Sequence, residues 1–218
     1  MSDPHLIPHL DTAALVLIDV QHDFLSDSPY GIPGTTEVLP RLAQLSAAFR
    51  AAGKPIVHVI RLYEPDGSNA DRVRRTLIAG GAHVVAPGTP GRDIPPELLP
   101  DTAPGLDDDA LLRGDPQQLG PDEFVIYKPR WGAFYRTPLH ELLTSHGIDT
   151  IVFAGCNLPN CPRASLIEAS ERDYRLVLAT DATSRTSEQG LAEVTGIGTI
   201  LMTTDAIKEG LRAGKTNL

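Results

Sequence analysis

The chain has 218 residues, 41% of them hydrophobic and 22% charged, a composition typical of a globular protein with a full core in one domain. With 28 acidic and 19 basic residues, its net charge of -9 argues against a nucleic-acid or anionic-membrane surface and favours a small-molecule partner. Two cysteines are too few for a disulfide framework, the N-terminus lacks a signal pattern and no apolar run approaches the ~20 residues that span a membrane, so we expect a reduced, cytoplasmic protein.

Six short apolar runs predict strands that are buried on both faces. The first covers residues 13–20, a helical pattern that ends at Gly53 follows it, and the second covers residues 55–63. Strand, helix and strand in this order indicate a right-handed βαβ unit. The other four predicted strands are 123–128, 150–155, 175–181 and 199–204. Their alternation with helical stretches predicts a three-layer α/β/α fold around a mostly parallel, six-stranded sheet.

Residues 64–122 break this alternation, because they are rich in glycine, proline and aspartate. We interpret them as an irregular insertion within a single domain that spans residues 1–218. A lid, a pocket wall and a subunit interface are all compatible with the pattern, and a disordered loop is the remaining interpretation.

Three reactive side chains follow the ends of predicted strands. Asp19 follows the first strand and Lys128 the third, while Cys161 lies at the N-cap of the helix after the fourth, with Pro162 at the first helical position. Ligands of open α/β folds bind at the carboxyl ends of the strands, so we expect these three groups to meet there. A thiol at a helix N-terminus beside an ammonium group favours the thiolate, and a carboxylate can accept the thiol proton.

Each residue also has a plain structural interpretation. A free cysteine such as Cys161 is often a small buried hydrophobic residue, and Asp19 at a strand end can cap the following loop. Lys128 can be a solvated surface residue. The coincidence of all three residue types at one edge of the sheet favours the catalytic interpretation.

Three segments resemble the isochorismatase-like cysteine hydrolases, a family that includes nicotinamidases, N-carbamoylsarcosine amidases and ureidoacrylate hydrolases. They are LVLIDVQHDF, YKPRWGAFYRTPL and IVFAGCNLPNCPRASLIEASERDYRLVLATDA, and the resemblance covers most of the chain. It implies an isochorismatase-like sheet with strand order 3-2-1-4-5-6. It also implies that Asp19 is the base, Lys128 the lysine of the catalytic triad and Cys161 the nucleophile.

The resemblance further implies a cis peptide bond between Cys156 and Asn157 and an oxyanion hole formed by the backbone amides of Asn157 and Cys161. Family members commonly assemble as homodimers or homotetramers, which we also expect here. The Asp-x-His metal signature of nicotinamidases is missing after the second strand, and His58 lies inside that strand, where a core histidine is expected. We therefore predict no metal and no cofactor.

Several residues near the predicted strand ends are candidates to contact a substrate. Aromatic side chains can wall a pocket, while an amide side chain can donate or accept hydrogen bonds there. The substrate-binding candidates are Gln21, Phe24, Trp131 and Phe134, with core packing as the other interpretation of Phe134. Arg61 and the cluster of Arg72, Arg74 and Arg75 could meet a substrate carboxylate, although a solvated helix face also explains the cluster.

These observations predict a cysteine-dependent amidohydrolase that cleaves an amide, lactam or ureido C–N bond of a small molecule through a thioester acyl-enzyme. Two alternatives stay open. One is a vinyl-ether hydrolase of the isochorismatase type, and the other is a non-enzymatic binding or assembly protein on the same scaffold.

Overall fold

The computed structural model describes residues 3–215, and within that range seven strands form one sheet. The strands are β1 (Ala13–Ile18), β2 (Ile56–Ile60), β3 (Gln117–Gly120), β4 (Glu123–Tyr127), β5 (Thr150–Gly155), β6 (Arg175–Thr183) and β7 (Ile200–Met202). The helices are α1 (Thr35–Ala52), α2 (Arg72–Ala79), α3 (Asp108–Arg113), α4 (Leu139–Ser145), α5 (Cys161–Ser170), α6 (Glu188–Thr195) and α7 (Thr204–Lys215). Short 3₁₀ turns cover Leu10–Thr12, His22–Phe24, Pro90–Arg92 and Pro96–Leu98.

The sheet order is β3-β4-β2-β1-β5-β6-β7, in which only β3 runs antiparallel to its neighbour. For the six predicted strands this is the expected order 3-2-1-4-5-6, so the predicted fold is confirmed. The predicted number of strands was wrong by one. The added strand, β3, has the sequence QQLG, which is too short and too polar to resemble a buried strand.

The three layers follow from the alternation of side chains along the central strand β1, all six residues of which are buried. Leu15 and Leu17 face a core that contains the apolar stripe of α1 and the inner residues of α7. Val16 and Ile18 face a second core on the opposite side of the sheet, formed with α4, α5 and α6. A parallel sheet covered on both faces in this way needs strands that are apolar throughout, as β1 is.

The segment 64–122 is more ordered than predicted. It contains α2, α3 and β3, and its residues Ile94, Leu98, Leu111 and Leu119 are buried in the same core as α1. The description of the whole segment as irregular was wrong for these elements, because helices and strands of four to eight residues carry little periodicity. In residues 3–215, no helix combines the length and the apolar character needed to cross a membrane.

Candidate active site

The parallel strands bring Asp19, Lys128 and Cys161 together, as predicted. Asp19 directly follows β1, Lys128 directly follows β4, and Cys161 begins α5 after the loop that leaves β5. Lys128 Nζ lies 2.9 Å from Asp19 Oδ2. Lys128 is fully buried, and Asp19 and Cys161 are 4% and 5% exposed. A buried ammonium and carboxylate in contact form a matched ion pair beside the thiol.

The loop after β5 approaches β1 closely, and this approach explains Gly155. Its φ is +113°, and a Cβ at this position would lie 2.4 Å from the carbonyl oxygen of Ile18. Only glycine fits such a contact, which allows the loop to pass directly over the end of β1. The next peptide bond, between Cys156 and Asn157, is cis, as the resemblance implied.

The helix that carries Cys161 begins one position earlier than expected. Asn160 is the N-cap, Cys161 is the first helical residue, and Pro162 lies in the first turn. Ser165 Oγ donates to the carbonyl of Cys161 at 2.7 Å and accepts from the amide of Ala133 at 3.0 Å, which ties the helix start to the loop after β4. Within residues 3–215, the backbone amides of Asn157 and Cys161 have no hydrogen-bond acceptor. These two N–H groups are therefore available to a ligand.

The electrostatics of Cys161 differ from the sequence expectation. Burial raises the pKa of the thiol, and the negative charge of Asp19 raises it further, whereas Lys128 and Arg61 act to lower it. Desolvation and the neighbouring carboxylate outweigh the cations, so the surroundings of Cys161 disfavour the thiolate that the sequence predicted. A carboxylate beside a thiol is also chemically able to accept its proton.

Arg61 is a central component of the site. It directly follows β2 and is 1% exposed. Its guanidinium lies 2.6 Å from Asp71 Oδ2, 3.7 Å from Cys161 Sγ and 3.9 Å from Asp19 Oδ2. The group also lies over the ring of Trp131, 5.3 Å from its centroid. Such a permanently charged, well-held guanidinium can stabilise an anion that forms on the sulfur.

Arg61 and Cys161 lie in the wall of a cleft with about 310 Å³ of empty space, its open mouth included. Phe24 and Trp131, two of the predicted substrate-binding residues, line the cleft. The cleft is also lined by Asp19, Ile32, Arg61, Tyr63, Arg74, Cys156, Asn157, Asn160 and Cys161. Its lining combines aromatic side chains with a few polar and charged groups, which is the usual form of a small-molecule site.

Two predicted substrate-binding residues are placed elsewhere. The side-chain amide of Gln21 donates to the carbonyls of Arg61 and Arg92, and its oxygen accepts from the Arg61 amide, each at 2.8 Å. Its polar atoms are thus bonded to the backbone, and Gln21 holds Arg61 in position. Phe134 packs in the core between the sheet and α5, where Arg172 lies over its ring, 4.9 Å from the centroid.

Two residues that line the cleft each have a buried side-chain oxygen without a hydrogen-bond partner within residues 3–215. The two oxygens are Asp19 Oδ1 and Asn157 Oδ1. A buried acceptor without a donor is costly, so a ligand that supplies N–H or O–H groups to the cleft is favoured.

Arg61, which the sequence offered only as a possible partner of a substrate carboxylate, follows β2 as Asp19 follows β1, and the structure pairs it with Asp71. No comparable signal in the sequence marks Asp71, the carboxylate that binds Arg61, because it lies in the segment without clear periodicity. His58, which was expected in the core, is buried in β2 and contacts Glu123 Oε1 through Nε2 at 2.8 Å. In the described part of the chain, no three histidine, cysteine or acidic side chains converge as a metal site.

Residues 13–206 match the Isochorismatase domain. The chain belongs to the isochorismatase family. Ureidoacrylate amidohydrolase RutB of Methylorubrum extorquens is 30% identical over 199 residues, which cover 84% of this chain and 74% of that protein. Maleamate amidohydrolase of Pseudomonas putida is 28% identical over 77% of this chain and 70% of its own length.

Another member of the isochorismatase family, from Desulfovibrio vulgaris subsp. vulgaris str. Hildenborough, has a crystal structure that superimposes with a TM-score of 0.78. It is 32% identical in sequence, and the match covers 92% of this chain and 98% of that one. The resemblance inferred from the three sequence segments is thereby confirmed.

Proposed function

We propose that this protein is a cysteine-dependent amidohydrolase that cleaves a C–N bond of a small amide or ureide. The observation that carries the proposal is the contact of Cys161 with a buried charge cluster, in which Lys128 pairs with Asp19 and Arg61 lies 3.7 Å from the sulfur. The names of the relatives, which are amidohydrolases of ureidoacrylate and maleamate, support the same class of reaction.

The reaction begins with proton transfer from Cys161 to Asp19. The thiolate attacks the carbonyl carbon of the substrate, and the carbonyl π electrons move to oxygen. The backbone amides of Asn157 and Cys161 donate to this oxyanion, and one such donor is typically worth ~100-fold or more in rate. Asp19 then returns its proton to the leaving nitrogen as the C–N bond breaks, which yields a free amine or ammonia and a thioester on Cys161.

Water completes the cycle. Asp19 accepts a proton from a water molecule that attacks the thioester carbon, and the tetrahedral intermediate collapses with departure of the Cys161 sulfur. The proton held by Asp19 passes to that sulfur, which restores the thiol. The net reaction consumes one amide and one water and produces one carboxylic acid and one amine, without a redox step.

The cations explain how a thiol with a raised pKa can act as a nucleophile. When the proton moves from Cys161 to Asp19, the negative charge moves from the carboxylate to the sulfur, and Lys128 and Arg61 remain beside both atoms. The transfer therefore redistributes charge inside one cluster and does not create a new buried ion, which keeps its cost low.

The acceptors in the cleft favour amide cleavage over the alternative, vinyl-ether cleavage. Asn157 Oδ1 and Asp19 Oδ1 are buried and need donors. A primary amide or a ureide brings N–H groups on the scissile nitrogen to this position. The cleaved bond of a vinyl ether carries no hydrogen on its oxygen, so neither acceptor would be satisfied by the reacting group.

The test is ammonia or amine release from a panel of primary amides, carbamoyl compounds, ureides and cyclic amides, with wild type and Cys161→Ala measured in parallel. We expect release from at least one panel member that depends on Cys161. Iodoacetamide labelling should occur at Cys161 in Cys156→Ala and be lost in Cys161→Ala. Equal release by wild type and Cys161→Ala, or labelling confined to Cys156, would contradict the proposal.

A further inference from the structure

Helix α2 (Arg72–Ala79) directs one of its arginines into the cleft. Ile78 is the buried residue of this helix, and it packs in the same apolar cluster as Phe24, Tyr63 and Cys156. Arg74 lies four residues before Ile78, so the two side chains share a helix face. The structure agrees with this geometry, because Arg74 lines the cleft together with Cys161, while Val73 on another face is 72% exposed.

Arg74 carries a charge that the surrounding residues do not balance. Inside the site Lys128 pairs with Asp19, and Arg61 pairs with Asp71. Arg74 is half-buried and has no carboxylate within 4.0 Å in residues 3–215. An acidic protein of net charge -9 thus presents an unpaired guanidinium at its catalytic cleft.

The neighbouring arginines show that this arrangement is specific to one position. Arg72 and Arg75 are exposed, neither lines the cleft, and Arg75 donates to the carbonyl of Ala70 at 3.2 Å. The sequence offered the three arginines as one cluster with two interpretations. In the structure Arg72 and Arg75 lie on the solvent-exposed face of the helix, whereas Arg74 is half-buried and lines the cleft.

From this we propose that Arg74 binds a carboxylate group of the substrate, so the protein acts on small carboxylic acids that carry an amide or ureide at their other end. The inference rests on the proposed function only in placing the scissile carbonyl at Cys161. Guanidinium groups bind carboxylates through two parallel hydrogen bonds, which fixes the orientation of the ligand as well as its charge. Asn157 lines the same cleft as Cys161, and its buried side-chain oxygen accepts a hydrogen bond from the amide end of the substrate. The carboxylate end thus binds a cation, and the amide end binds a hydrogen-bond acceptor.

The proposal is tested by calorimetric binding of malonamate, succinamate and glutaramate to Cys161→Ala, each compared with the corresponding neutral diamide. The three chain lengths vary the distance between the two ends of the ligand. We expect at least one monoamide to bind about 10- to 100-fold more tightly than its diamide, which is the usual range for a charged hydrogen-bonded pair. Adding Arg74→Gln should remove that preference, whereas adding Arg72→Gln should preserve it.

Equal binding of monoamide and diamide at every chain length would overturn the assignment of Arg74. A preference for the monoamide that survives in Arg74→Gln, or that is lost equally in Arg72→Gln, would also overturn it. Turnover by the unsubstituted enzyme separates this inference from the proposed function. Cysteine-dependent hydrolysis of diamides and monoamides at equal kcat/KM would leave the proposed function standing and refute the role of Arg74. A carboxylate preference in binding that requires Arg74, without hydrolysis of any compound, would support the role of Arg74 and refute the proposed function.

Discussion

Cys156 and Cys161 line the same cleft, five positions apart, and both are buried, yet their surroundings differ. Cys156 Sγ accepts from the hydroxyl of Thr35 at 3.4 Å, and burial raises its pKa to about 11. Burial also raises the pKa of Cys161, but Lys128 and Arg61 oppose that effect, and Asp19 is close enough to receive the proton. The comparison indicates why the proposed function assigns the nucleophile to Cys161 and not to Cys156, although both thiols line the cleft. A nucleophilic thiol requires a proton acceptor and cations that stabilise the resulting anion.

The largest expected effect is loss of the sulfur itself. Cys161→Ala should lower kcat/KM for the best panel amide by at least about 1,000-fold, because the proposed acyl-enzyme forms on this sulfur. Cys156→Ala should cost at most about 10-fold, through repacking of the cleft wall. Steady-state amine release measures both, with circular dichroism as the control for folding. Comparable losses in the two variants would remove the distinction between the cysteines.

Removal of the buried ammonium should affect both stability and activity. Lys128→Met leaves the Asp19 carboxylate buried without its partner, and loss of one member of such a pair typically costs about 3–5 kcal/mol. The double variant Lys128→Met/Asp19→Asn should recover much of the lost free energy of unfolding but none of the activity. Urea denaturation and amine release test these outcomes. A Lys128→Met protein as stable as wild type would contradict the assigned ion pair.

A smaller effect is expected from Arg61, whose charge lowers the pKa of Cys161. Arg61→Gln should shift the pH profile of iodoacetamide labelling at Cys161 to higher pH, so that labelling at a fixed pH below the midpoint becomes slower. Arg72→Gln, on the exposed face of α2, is the matched control and should leave the profile in place. An unshifted profile in Arg61→Gln would show that the guanidinium does not act on the sulfur.

The smallest expected effect concerns the stability contributed by Cys156. Its pKa is raised from 9.0 to about 11 in the folded protein, so this contribution is complete below pH 9 and is lost as the pH rises toward 11. Between about pH 8 and about pH 10.5 the free energy of unfolding should fall less in Cys156→Ala than in wild type, by on the order of 1–2 kcal/mol. Denaturant titrations at the two pH values measure it. An identical fall in both proteins would place Cys156 in a more hydrated environment than the structure shows.

Much of the site could be predicted from the sequence because its residues follow regular strands. Asp19, Lys128 and Arg61 each come directly after a buried apolar run, and the parallel arrangement of those runs brings their ends together. Gln21 illustrates the limit of this reasoning. It lies at the same edge, but its amide is bonded to the backbone of two loops, and nothing in the local sequence distinguishes that state from a free amide facing a ligand.

The segment 64–122 accounts for most of what the sequence did not show. β3 has four residues, and the eight residues of α2 include three arginines, so neither has the apolar pattern of a buried element. Asp71, which binds Arg61, and Arg74, which lines the cleft, both come from this segment. Their roles depend on long-range packing that places α2 over the cleft, and short-range periodicity carries no information about such packing.

The most direct test of the central claim is to locate the covalent intermediate. The enzyme is mixed with its best panel amide and quenched in acid during turnover, and the peptide that carries both cysteines is sequenced by mass spectrometry. The account predicts an acyl group of the substrate on Cys161, with Cys156 unmodified. An acyl group on Cys156, or steady turnover with no acylated cysteine at any quench time, would contradict it.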